Sequence, residues 1–267
     1  MLTLNFLKRL GSLKFAYYFY VKSTVARLNP NPKKPNPMSW NTFFGVASIV
    51  AFFFPVAIIL IYRLYKHRSL TALMIYYLMT AAYSIMSEYH IPMSTDFRRA
   101  AGVLNNYLDV PLMLIALLFF CPNKQKQRKV HYLTAVFIGY EIAIATIYGL
   151  QKEAVVYVMG PGIFIVLAYT FFLFSRQIKF TVIHGKNAGR TLMLASILFA
   201  YTCYGLVYYF YYIQQTPYVA DAFLLYFISS GFASTLMAVG LYLMRTRIKR
   251  LREAKVVRKE LALFFNN

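Results

Sequence analysis

Acidic side chains are scarce in this sequence: 8 Asp and Glu stand against 29 Lys and Arg, a formal charge of +21. Cysteine is scarcer still. Cys121 and Cys203 both fall within long apolar runs, which leaves no basis for a disulfide framework or a cysteine zinc motif. His67, His131 and His184 sit in or beside expected loops, without the clustered spacing of a metal site. No metal is therefore expected. No histidine is central to an apolar run and no aspartates are paired at workable depths, so the usual routes to an intramembrane hydrolase have no residues to carry them. No catalytic residue is assigned. Internal repeats are missing too, and the apolar runs do not pair as inverted halves, which counts against a repeat-built transporter.

What is abundant is apolar sequence. With 60% apolar residues and a mean hydropathy of +0.52, the chain exceeds a soluble domain. The expected fold is all-α, a polytopic membrane protein with a bundle of seven transmembrane helices. The spans fall at about 41–63, 70–90, 100–121, 130–150, 154–175, 190–213 and 221–244. They nearly exhaust the 267 residues, which leaves no room for a soluble catalytic or sensor domain. In a soluble protein the charge would suggest nucleic acid, but here the basic residues fall at span ends and in the tails. Orientation and anionic lipid account for them, and no nucleic acid is expected.

Basic residues separate by connection. Three lie near the first (Arg63, Lys66, Arg68), four in the third, four in the fifth and eight after the last span, against two, one and none in the even connections. The positive-inside rule then puts the N-terminus outside and the C-terminus in the cytoplasm. The expected location is the bacterial inner (plasma) membrane. Seven basic residues of the N-terminal tail oppose this orientation: that tail binds the outer leaflet, or the span count is off by one.

Three regions follow. Residues 1–39 contain no acid, and their apolar runs are cut by lysine and arginine; FAYYFYV at 15–21 suits the headgroup region, so this is expected to be a basic interfacial segment. It lacks the long apolar core and cleavage site of a secretory signal. A proline-rich linker, NPNPKKPNP, leads to Trp40, an interfacial anchor and the sole tryptophan. Residues 40–245 form the bundle. Residues 246–267 form a basic cytoplasmic tail, where RTRIKRLREAKVVRK at 245–259 reads as a helix leaving the membrane, for lipid contact rather than protein docking.

The third span organises the polar residues. Asn105 and Asp109 lie four residues apart on one face and must turn toward other helices, because a mid-span carboxylate must be protonated, hydrogen-bonded or beside water. A structural hydrogen bond to tyrosine competes evenly with a functional role. Glu141, sharing a face with Thr134, Ala145 and Tyr148, is the second candidate and a proton-relay partner if the helices bring the two acids together. Glu88 and His90 lie close to the outer end of the second span, where a solvated helix end competes with a pocket mouth. Asp221 opens the seventh span, where it favours the helix dipole as readily as it serves a site.

In the sixth span Tyr201, Tyr204, Tyr208, Tyr211 and Tyr212 make one aromatic face, suited to packing or to lining a hydrophobic ligand. The seventh carries Ser229, Ser230, Gly231, Ala233, Ser234, Thr235 and Ala238, small residues that admit a close helix and favour self-association. Gly160-Pro161-Gly162 predicts a kink or local opening in the fifth, most simply for packing.

Seven spans with the N-terminus outside, the stretch NNYLDVPL at 105–112 and an acid near the start of the last span resemble the microbial rhodopsin fold. The resemblance implies a bundle that encloses a ligand. It covers the span plan and one short stretch, with the carboxylate displaced by one turn, Asn106 in the place of a tryptophan and Gly102 in the place of an arginine. Leu225 occupies the position of the lysine that carries retinal, so no retinal Schiff base is expected. What it implies is a rhodopsin-like scaffold with no cofactor beyond a non-covalent hydrophobic ligand.

Three functions are consistent with this reading: a non-enzymatic, receptor-like or ligand-binding bundle; a proton-coupled transporter or channel using Asp109 and Glu141; and a structural subunit of a membrane complex. Expected partners are the bilayer with its anionic lipids and a membrane protein or second copy.

Overall fold

The computed structural model describes residues 40–88, 94–121, 123–149, 151–184, 187–214 and 219–265, with 152, 184, 219–220 and 246–265 described as backbone only. The interfacial segment expected over 1–39 lies outside the described residues. Among the described residues seven α-helices follow one another: α1 (Trp40–Ile61), α2 (Arg68–Glu88), α3 (Thr95–Leu117), α4 (Lys124–Tyr148), α5 (Lys152–His184), α6 (Ala188–Tyr208) and α7 (Val219–Phe265). A 3₁₀ turn, Leu118–Phe120, prolongs α3, and a π turn, Tyr209–Ile213, prolongs α6. All seven are long and apolar enough to cross a membrane, and no strand occurs among the described residues.

The helix ends depart from the limits of the apolar runs. α4 starts at Lys124 rather than near 130, because the Asn123 side chain accepts from the Gln125 amide at 3.0 Å, and the lysines and glutamines that follow are good helix formers. α3 starts at Thr95, where Ser94 accepts from the Phe97 amide at 3.2 Å. α5 runs through Arg176 and Lys179 to His184, and α7 runs unbroken to Phe265, since neither glycine nor proline follows Gly240. Hydropathy marks where a helix is greasy; caps and breakers mark where it ends. Gly149, at φ +66°, closes α4 in the left-handed region that glycine alone adopts without cost.

Short connections make each helix antiparallel to the next. Each packs on its chain neighbours, α1 closes the ring against α7, and α3 also meets α5. Between α6 and α7 the backbones almost touch: a Cβ on Gly240 would lie 2.9 Å from the Gly189 carbonyl oxygen, and one on Gly189 2.8 Å from that of Gly240. Two turns along, the Ser196 hydroxyl donates to the Ala233 carbonyl at 2.7 Å. The small face of α7 is thus consumed by its neighbours, with Gly231 against Ser48 of α1 and Ser229, Ser230 and Ser234 buried. At the end of α3, Arg190 of α6 donates to the Phe119 carbonyl at 2.9 Å with its guanidinium over the Phe119 and Phe120 rings.

Large apolar side chains line the core, among them Phe52, Ile59, Leu73, Leu114 and Met237. They also cover the outside: Phe164 is 72% exposed and Ile147 71%. Trp40, 73% exposed, stacks on Phe44 at the start of α1.

α5 remains helical through Gly160-Pro161-Gly162. Proline 161 has no N–H for the carbonyl of Tyr157 four residues earlier, and that oxygen accepts the Tyr140 hydroxyl of α4 at 2.9 Å instead. The adjacent Val156 carbonyl accepts the Tyr208 hydroxyl of α6, also at 2.9 Å. Phenols on both flanking helices therefore grip the interrupted turn. Gly162 lets α5 seat deeply, since a Cβ there would come within 2.5 Å of Val110 on α3 and 3.0 Å of Phe137 on α4.

Candidate functional site

Asp109 projects from the middle of α3, half-buried, toward α6 and α2. The Tyr201 hydroxyl donates to its Oδ2 at 3.0 Å, and Tyr76 of α2 approaches the same carboxyl group. Tyr201 is completely buried and Tyr76 nearly so. A bond from a phenol to a carboxylate is stronger than one between neutral groups, and an apolar bundle strengthens it further.

Around this bond the phenols form a continuous shell. Tyr201 and Tyr204 lie 5.6 Å apart between ring centroids, and Tyr204 and Tyr226 of α7 5.3 Å apart. The Tyr204 hydroxyl is 3.2 Å from the Ser230 hydroxyl of α7, while Tyr77 turns its hydroxyl to Ser196 and Ser234. Four helices, α2, α3, α6 and α7, thus contribute to one polar core.

Glu141 lies on α4, which packs against α3. It is 5% exposed, on the single buried face of α4 that also carries Val130, Thr134 and Phe137. Its Oε1 is buried without a hydrogen-bond partner, and so is the hydroxyl oxygen of Tyr107 on α3. Glu141 is within electrostatic range of both Tyr107 and Asp109. The two central carboxyl groups therefore sit on two packed helices, one held by phenols and the other under-coordinated.

The remaining candidates lie elsewhere. Asn105 is half-buried one turn from Asp109 on the same face. Tyr208 braces α5 through the Val156 carbonyl, and Tyr211 and Tyr212 meet edge to face in the π turn, with Tyr211 also edge-on to Phe223. Glu88 sets its carboxyl 3.4 Å from where a Gly45 Cβ would stand, about 18 Å along α2 from Tyr76. Asp221 is exposed in the first turn of α7, and His90 lies outside the described residues. Sequence reasoning missed Tyr76, Tyr77, Tyr107 and Tyr226. The available signal was depth, since each sits well inside its apolar run, as Asp109 does.

Both cysteines are free and buried, the Cys121 sulfur 2.9 Å from the Tyr169 hydroxyl. Among the described residues no three His, Cys, Asp or Glu side chains gather to hold a metal ion. Among the described residues an open, apolar surface groove lies between α1 and α7 and another along α5, and neither reaches Asp109. Comparison of the chain with protein-family models, with curated proteins and with solved structures finds no match.

Proposed function

We propose that the chain is an integral membrane protein, N-terminus outside and C-terminus cytoplasmic, whose carboxyl groups Asp109 and Glu141 form a proton relay for coupled transport or conduction. The outward apolar side chains and the bias of basic residues to the odd connections support insertion in that orientation. The relay rests chiefly on one observation: Glu141 is buried with an unpaired oxygen, within electrostatic range of an Asp109 held by tyrosine. A carboxyl group kept only for packing would normally have both oxygens satisfied. An intramembrane acid that is not so satisfied is retained for what it exchanges.

Purified protein in sealed vesicles is expected to carry a pH-dependent proton flux. Asp109→Asn and Glu141→Gln should each reduce it by about a hundredfold, with helix content and monodispersity kept. Wild-type flux in both variants would sink the relay. A loss of stability alone would leave the carboxyl groups as structural ties in a scaffold. The partly exposed rings of Tyr204 and Tyr226 support a second reading, a hydrophobic ligand held against them. An absorption band or a small molecule retained by the gently purified protein, with no flux, would favour it.

A further inference from the structure

The groove between α1 and α7 is lined by Phe54, Ala57 and Ile58 on one side and Thr235, Ala238, Val239 and Tyr242 on the other, and its surface is apolar, the Thr235 hydroxyl being turned to the Gly231 carbonyl of its own helix. It is open to the outside: Phe54, Val239 and Tyr242 are each more than 40% exposed. At its end the chemistry changes abruptly. The Arg245 guanidinium lies 3.5 Å from the centroid of the Tyr242 ring and 5.4 Å from that of Tyr62, and donates to the Tyr242 carbonyl at 2.7 Å. Two aromatic faces and a carbonyl therefore fix a half-exposed cation at the mouth of an apolar slot. Arg63 and Lys66, both exposed, lie on the α1–α2 connection at the same end of the bundle. No acid occurs before Glu88 or between Asp221 and Glu253, so neither α1 nor this part of α7 supplies a carboxylate to answer that charge.

We infer that this groove is a binding site for one anionic phospholipid, an acyl chain lying between α1 and α7 and the phosphate at Arg245. The shape supplies apolar contact for a chain, and the arginine supplies the planar donor set that suits a phosphate. Pre-orientation by Tyr62 and Tyr242 lowers the entropy lost on binding. The inference depends on membrane insertion but not on the proton relay.

Native mass spectrometry of the full-length protein, reconstituted with mixed phosphatidylcholine and phosphatidylglycerol, reads the site directly. The wild type should retain phosphatidylglycerol selectively. Arg245→Gln should lower that retention by about fivefold, the effect of one basic residue at an anionic surface. Arg245→Lys, which keeps the charge but loses the planar donor set stacked on Tyr62 and Tyr242, should fall between the wild type and Arg245→Gln, and Ala57→Phe, which fills the groove from an exposed position, should lower retention without unfolding the bundle. Equal retention of both lipids by the wild type would overturn the site. So would full retention by Arg245→Gln combined with loss on neutralising Arg247, Lys249, Arg250 and Arg252, which would reveal diffuse attraction to the tail. A dimer broken by Ala57→Phe, with no lipid retained, would assign the groove to a second copy. Extraction of the protein from vesicles by alkaline carbonate would overturn membrane insertion itself, whereas an integral protein that retains no lipid defeats the lipid site alone.

Discussion

A carboxyl group in an apolar bundle is held by whatever donates to it, and for Asp109 the donor is Tyr201 at 3.0 Å. Tyr201→Phe keeps the ring and its burial but removes that donor, with Tyr76 still beside the carboxyl group. Thermal unfolding in mild detergent should show a loss of about 1–2 kcal/mol. Tyr204→Phe removes a bond between neutral hydroxyls and should cost about half as much. Equal effects of the two substitutions would mean that the Asp109 bond is not the special one. From the sequence, the need to shelter Asp109 was plain, because a charge in mid-run has few other solutions. The donor was not, since the chain has 24 tyrosines and helical spacing fixes a face without fixing the face opposite. Glu141 could be placed with Thr134, and both are buried, but its relation to Asp109 depends on how α4 is rotated against α3. That rotation is set by Gly162 admitting Val110 and Phe137, three residues on three helices whose meeting leaves no mark in linear order.

At the scale of the helix, the run Gly160-Pro161-Gly162 announces a missing hydrogen bond but not its remedy. The remedy is Tyr140 on α4, bonded to the Tyr157 carbonyl that Pro161 leaves without its usual partner. A double-mutant cycle tests this. Tyr140→Phe alone should destabilise by about 0.5–1.5 kcal/mol. In a Pro161→Ala background the helix supplies its own N–H to the Tyr157 carbonyl, and Tyr140→Phe should then be nearly silent. Additive effects would show that the tyrosine serves some other purpose. The same scale explains why the helix ends were read only approximately. The apolar runs locate seven helices, yet the lysine-rich start of α4 and the basic end of α5 are helical for local reasons that hydropathy does not sense.

For the whole molecule the decisive quantity is the sidedness of charge. Between the helices the odd connections and the end of α7 carry nearly all of the lysine and arginine, but the seven basic residues of the first 39 compete with that bias. The internal connections should prevail, because they are short and repeat the same preference three times, whereas one terminal segment expresses the opposite preference once. In a background with Cys121 and Cys203 replaced by serine, Thr95→Cys at the start of α3 and Lys124→Cys at the start of α4 place single thiols at opposite ends of the bundle, both at exposed positions. A membrane-impermeant maleimide added to intact cells should label Thr95→Cys and leave Lys124→Cys unmodified until the membrane is opened. The reverse pattern would turn the molecule over, put Arg245 on the external face, and require the lipid headgroup proposed for it to come from the outer leaflet. Labelling of both thiols in intact cells would mean that α3 does not cross the bilayer, which would remove the apolar surroundings on which the proposed relay of Asp109 and Glu141 depends.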